Sequence, residues 1–365
     1  MQAHGPTLRE SLCETRPGER LVPRLFLTDC FLRMDLHPLG TTAHSVTPLG
    51  LGLAALGRPG YINLGHAEAL EGRRSVNALQ QHTHAVLDAA WDAGIRYIDA
   101  ARSYGRAEAF LRSWLDARRH SPEALTIGSK WGYTYTANWQ VDADVHEVKD
   151  HSLDTLQRQW SVSEATLGDA LDLYQIHSAT LQTGVLEDEA VHAALARLRD
   201  EHSIAIGLSL SGPQQAATLE QALAVTVAGI PLFDTVQATW NVLEPSAGPM
   251  LAAAHADGRG VIVKEALANG RLTPANTRPD DADLRATLDA HAERLGTSSD
   301  ALALAAALSQ PWADVVLSGA ATLRHVRSNV QALAVDWDDD AAAALRPFQE
   351  PADRYWDLRS ALAWT

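Results

Sequence analysis

The sequence predicts a (β/α)8 barrel, a single α/β domain, on three observations. Eight short apolar runs recur between residues 49 and 320, separated by helix-compatible stretches, the alternation that builds a parallel sheet. The 365 residues, 46% of them apolar, suffice for one large barrel with a full core. The first run carries Gly50, Gly52 and Gly57, but Ala55 holds the third glycine position of the G-x-G-x-x-G turn, which an open dinucleotide-binding sheet would normally show early in the chain. An open doubly wound sheet is the fold alternative.

In order, the runs are LGLGLAALG (49–57), GIRYIDA (94–100), LTIGSK (125–130), LDLYQIH (171–177), IAIGLSL (204–210), FDTVQAT (233–239), GVIVKEA (260–266) and DVVLSGA (314–320). Between them, helices are expected over Val76–Ala93, Ala107–Arg119, His146–Leu167, Asp188–His202, Gln214–Ala228, Glu244–Asp257 and Asp281–Ser309. Gly212-Pro213, Glu244-Pro245 and Asp300 are start signals. Gly94, Gly207 and Gly260 fall between a helix and the next strand, where a left-handed turn commonly ends a helix. Residues 1–40 mix Pro17, Gly18, Pro23 and Pro38 with scattered charge and no sustained period. They are expected to be a disordered extension, or residues ahead of a true start near Met34; a transit role for their arginines stays open. Residues 41–365 are the barrel, with a C-terminal tail near the active site.

Composition narrows function. A net charge of −15 argues against nucleic acid, which requires clustered Lys and Arg. Two cysteines, Cys13 and Cys30, cannot form a disulfide framework, so a reducing cytoplasm is expected. No apolar stretch is long enough to span a membrane. Fifteen histidines show no metal-ligand spacing, and no metal is expected.

Four residues at or just past run ends stand out: Asp99, Tyr104, Lys130 and His177. A free phenol, with a pKa near ~10, resists ionising at neutral pH. A neighbouring ammonium, held by a carboxylate, lowers that pKa. Tyr104 then serves as general acid for an alkoxide forming on a carbonyl, or as base in reverse. A neutral His177 can hydrogen-bond and orient the carbonyl oxygen. The set suits proton transfer coupled to hydride transfer, and the hydride must come from a cofactor. Taken singly, each residue also fits a turn, a cap or a packed core.

The surrounding words, GIRYIDAARSYGRAEAFLRSWL, LTIGSKWG, LDLYQIHS, IAIGLSLSG, VQATWNVLE, ALANGRL and VVLSGAATLRHVRSN, resemble the aldo-keto reductase superfamily in that order, over residues 48–335. The resemblance implies Asp99, Tyr104, Lys130 and His177 as the catalytic tetrad, and NADP(H) bound without a Rossmann domain. It implies cofactor contacts at Ser209, Gln237, Gly319, Thr322, Arg324 and Asn329, with His325 on the adenine side. Departures are Leu210 where an Asn is usual, Lys264 where an aromatic commonly stacks on the nicotinamide, with Trp240 as a substitute face, and Ala321 where Arg, Lys or Ser is frequent. NADP is favoured, and NAD is the alternative. The expected function is interconversion of an aldehyde, ketone or sugar with its alcohol; the alternative is a non-catalytic NADP-binding regulatory module. Trp131, Tyr133, Tyr135, Trp139 and Trp356 are candidates to stack on substrate, and the insertion at 58–74 is expected beside the pocket.

Overall fold

The computed structural model describes residues 34–365. Eight parallel strands close a barrel: β1 (Leu49–Gly52), β2 (Tyr97–Asp99), β3 (Thr126–Trp131), β4 (Leu173–Ala179), β5 (Ala205–Leu210), β6 (Thr235–Thr239), β7 (Gly260–Lys264) and β8 (Val315–Ser318). They neighbour one another in chain order, and β8 pairs with β1 to complete the ring. The (β/α)8 expectation holds. Around it lie α1 (Val76–Asp92), α2 (Ala107–Arg118), α3 (Leu153–Leu167), α4 (Glu189–His202), α5 (Gln215–Leu223), α6 (Gly248–Ala256), α7 (Ala282–Arg294), α8 (Ser299–Leu308), α9 (Leu323–Val330) and α10 (Ala352–Ser360).

The strands are apolar on both faces because one face fills the barrel and the other packs under the helices. Leu51, Ile98, Ile127, Ile176, Leu208, Val236, Val263 and Val316 belong to the main core, with Trp114 and Trp160 from the helices. Inside the barrel, small residues make room for large neighbours. A Cβ on Gly128 would lie 2.6 Å from the Tyr97 hydroxyl, and one on Gly207 would lie 2.2 Å from Thr235 Oγ1.

A repeated device ties the N-terminal end of the barrel. Asp172, Asp234 and Asp314 each precede an even-numbered strand, and their Oδ2 atoms accept the N–H groups of Ile127, Ile206 and Val261 at 2.8, 2.8 and 2.7 Å. Each also donates its own N–H to the carbonyl of that same residue. The barrel floor is a hairpin, His37–Pro38 paired with Ser45–Val46, whose Leu39 and Val46 pack on Tyr97, Leu173 and Ile262. The expected boundary at residue 41 therefore falls inside a structured hairpin. Residues 1–33 of the expected extension, with both cysteines, lie outside the described residues.

Several element expectations are corrected. The stretch His146–Leu167 is not one helix: Glu147–Lys149 pairs antiparallel with Tyr133–Tyr135, and α3 starts after Ser152, whose hydroxyl accepts the Thr155 N–H. Helix α5 stops at Leu223 because Ala228 and Gly229 adopt φ +51° and +78° and turn a hairpin of Thr226–Val227 with Ile230–Pro231. The last predicted helix divides at Gly296, φ +66°. Of the three inter-element glycines, Gly94 is left-handed (φ +92°), whereas Gly207 lies within β5 and Gly260 opens β7. Among the described residues no helix is long and apolar enough to cross a membrane, and no group of three or more His, Cys, Asp or Glu is arranged for a metal.

Candidate active site

The C-terminal strand ends bring the four predicted residues together. Asp99 closes β2 and Lys130 lies near the end of β3, buried at 2% and 0% exposure. Lys130 Nζ donates to Asp99 Oδ2 at 2.5 Å and to the Ala100 carbonyl at 2.9 Å, and lies 3.4 Å from the Tyr104 hydroxyl. The Tyr104 ring stands edge-on to His177, with centroids 5.4 Å apart. His177 Nδ1 lies 3.4 Å from Ser103 Oγ, and His151 donates to the His177 carbonyl at 2.9 Å.

The electrostatics correct one expectation. Tyr104 is held well above the usual phenol range, by burial first and by the Asp99 carboxylate second. Lys130 does not leave the resting phenol acidic, because Asp99 faces the same ammonium. A phenol that keeps its proton is suited to donating it to a stronger base. His177 is held well below its ordinary value, by burial and then by Lys130, Lys264 and Arg58. It is a neutral imidazole able to hydrogen-bond an oxygen.

The predicted nucleotide contacts divide. Gln237, on β6, donates to Asp99 Oδ1 at 2.8 Å. Ser209 Oγ accepts the Ser178 N–H at 2.8 Å. Asn329 donates to Asp300 and accepts from Ser318, which anchors α9 on α8 and β8. These side chains have internal partners. Thr322 caps α9 by accepting the His325 N–H at 3.1 Å, and with Arg324, Arg73 and His82 it lines a groove of about 540 Å³. Among the described residues, both ring nitrogens of buried His66 and the Oδ1 of Asn269 lack hydrogen-bond partners. His66 is pulled down to about 4 by burial and then by Arg58, Arg74 and His325. The cations of the groove at the start of α9 fit a phosphate-bearing group, and the unpartnered polar atoms of His66 and Asn269 are open to a ligand.

Sequence reasoning named Lys264 only as a departure from the family pattern and passed over Glu265 and Arg359. Lys264, closing β7, donates to Thr239 Oγ1 at 2.8 Å; burial draws it down to about 8 despite Glu265. Burial pushes Glu265 up, but Arg359 and Lys264 outweigh it and hold the carboxylate at about 2. Arg359, from α10, grips Glu265 at 2.5 Å. Trp240 packs on Trp312 in the shell and supplies no face to the mouth. Of the loop aromatics, Tyr133 lies 5.0 Å from the His177 ring, whereas Trp139 packs on Phe110 and Trp131 is buried in the core. Trp364 stacks on His146 at 4.0 Å, and Thr365 and Tyr61 exchange backbone hydrogen bonds, which ties the tail to the loop after β1.

With barrel and tetrad assembled, relatives can be compared. A model of the aldo/keto reductase family matches residues 48–350. The chain belongs to the aldo/keto reductase family. It is 32% identical over 164 residues to pyridoxal 4-dehydrogenase of Microbacterium luteolum, 39% of this chain and 43% of that one. The chain thus aligns with under half the length of that relative. It is 26% identical to D-threo-aldose 1-dehydrogenase of a Pseudomonas species, over 66% of this chain and 74% of that one. A solved Pseudomonas aeruginosa protein assigned to the aldo-keto reductases has TM-score 0.58 and 26% identity, covering 85% of this chain and 95% of the other. The holo aldo-keto reductase of Bacillus halodurans shares the fold, with TM-score 0.65 at 20% identity over 88% and 98% of the two chains. An aldo/keto reductase is an oxidoreductase acting on small carbonyl compounds, and this family generally binds NAD(P)H.

Proposed function

We propose that this aldo/keto reductase family member is an NADP(H)-dependent enzyme interconverting an aldehyde, ketone or sugar with its alcohol, with Tyr104 as general acid and base. The observation that carries the reading is the chain Asp99–Lys130–Tyr104, at 2.5 and 3.4 Å, beside a neutral His177. Thr322, Arg324 and the groove at α9 would hold the adenosine end, and the unpartnered polar atoms of His66 and Asn269 would meet the rest of the dinucleotide. The nicotinamide, when bound, supplies the hydride.

The chain's own residues do the rest. His177 donates to the substrate oxygen and directs it toward Tyr104. Tyr104 gives its proton to that oxygen as negative charge builds there. Lys130, fixed by Asp99 and the Ala100 carbonyl, stabilises the phenolate left behind. In the oxidative direction Tyr104 takes the alcohol proton back. The assembled tetrad favours this reading over a non-catalytic binding module.

The test is Tyr104→Phe, assayed by cofactor oxidation against a panel of aldehydes, ketones and sugars. Turnover is expected to fall by roughly 10²–10⁴-fold, with fluorescence titration by NADPH unchanged. Undiminished turnover in the variant would sink the proposal, and tighter binding of NADH than of NADPH would reverse the nucleotide preference.

A further inference from the structure

Neither the tetrad nor the dinucleotide groove accounts for Arg58, the first residue of the insertion after β1. Its side chain is only 2% exposed. Nη1 donates to the carbonyl of Ser103 at 3.0 Å and to Glu147 at 2.8 Å. The guanidinium lies 5.4 Å from the centroid of the Tyr104 ring, 5.3 Å from Tyr61 and 4.6 Å from Trp364.

The backbone locks this arrangement. The Arg106 N–H donates to the Gly57 carbonyl at 2.7 Å. A Cβ on Gly57 would lie 2.1 Å from the Tyr104 carbonyl, and one on Gly105 would lie 2.5 Å from the Gly57 carbonyl. Only glycines allow the two loops to approach so closely. The loop bearing Tyr104 is therefore held by Arg58 through the residue immediately before it, and the same cation sits at the phenol ring.

We propose that Arg58 is a positioning residue for the reaction: it aims the Tyr104 phenol through the Ser103 carbonyl and stabilises the phenolate that forms when Tyr104 gives up its proton. This rests on Tyr104 being the proton donor. In that step the Tyr104 O–H bond breaks, the proton joins the substrate oxygen, and the electron pair stays on the phenolate until solvent reprotonates it. The groups facing the phenol are Lys130, Asp99, His177, Glu147, Glu265 and Tyr61. The Lys130 charge is matched by Asp99 at 2.5 Å. Burial and Asp99 push the phenol up; Arg58 pulls it down, and Glu147 opposes Arg58.

The experiment is the pH profile of kcat in the full chain for Arg58→Met, Arg58→Lys and Glu147→Gln, alongside NADPH titration and Tm. Arg58→Met is expected to lower kcat about tenfold and move the basic limb up by about one pH unit, with NADPH affinity unchanged. Arg58→Lys restores the limb, because the charge returns, but only part of kcat, because the fork to Ser103 does not. Glu147→Gln moves the limb down. A basic limb that stays put in Arg58→Met, or moves equally in Arg58→Lys, overturns the proposal. If Arg58→Met does not fold, Arg58→Lys and Glu147→Gln decide it: a limb that moves in Arg58→Lys, or one that stays put in Glu147→Gln, overturns the proposal. Turnover that survives Tyr104→Phe overturns the proton-donor reading itself; a fixed limb beside an inactive Tyr104→Phe overturns only the role of Arg58.

Discussion

Asp99 is anchored from two sides, by Lys130 at 2.5 Å and by the Gln237 amide at 2.8 Å. A buried carboxylate needs both, since a charge out of water is tolerated only when paired and hydrogen-bonded. Gln237 therefore has a structural duty that its expected role, contacting the nicotinamide, does not include. Gln237→Leu is expected to lower folding stability by about 1.5–3 kcal/mol, the range for a hydrogen bond to a charged group, read by urea unfolding without any nucleotide. A variant as stable as the wild type would leave Gln237 with no anchoring role. Lys130 and His177 were legible because each ends an apolar run with a polar group that a core would otherwise exclude. Arg58 was not, since an arginine in a Pro- and Gly-containing loop reads as solvent-exposed until the loop is seen folded over Tyr104.

The strands were legible because both their faces are buried and their runs are mostly apolar. The failures fall where secondary structure depends on partners distant in sequence. Glu147–Lys149 has helix-compatible composition, yet Glu147 pairs with Arg58 and Lys149 donates to the Ser178 carbonyl at 2.9 Å, which holds the segment extended against Tyr133–Tyr135. The aspartates at the barrel floor escaped notice for a related reason: their function is to accept an N–H from the preceding strand. Asp172 is pushed up to about 7 by burial, against the bond from Ile127. A carboxyl whose folded value exceeds its unfolded value binds its proton more tightly when folded. Its contribution to stability is full below pH ~4 and is lost as pH rises toward ~7. Asp172→Asn is expected to flatten the fall in Tm across that interval while keeping an acceptor for Ile127. An unaltered pH slope in the variant would rule out Asp172 as its source.

Three distant parts of the chain meet over the open end of the barrel: the loop at Arg58–Tyr61, the hairpin of residues 133–149, and the tail at 356–365. Trp364 joins them, stacked on His146 and lying against Arg58 and Tyr61. Trp364→Ala is therefore expected to raise KM for carbonyl substrates several-fold, with Tm and NADPH affinity little changed, because the loss falls on the mouth and not on the packed shell. A fall in Tm without a change in KM would make Trp364 a structural clamp instead.

The sequence alone was enough for the barrel and the order of its strands, and it singled out Asp99 at the end of β2, Tyr104 just past it, Lys130 near the end of β3 and His177 within β4. Burial on both strand faces and the spacing of polar residues after apolar runs are local signals, written within a few residues of each position. It could not supply the state of Tyr104, the anchoring of Asp99 by Gln237, or the presence of Arg58 and Trp364 at the site. Those depend on which groups 30 to 300 positions apart come within a few ångströms, and on how deeply the fold buries them. Burial and a facing carboxylate hold the Tyr104 phenol well above its ordinary value.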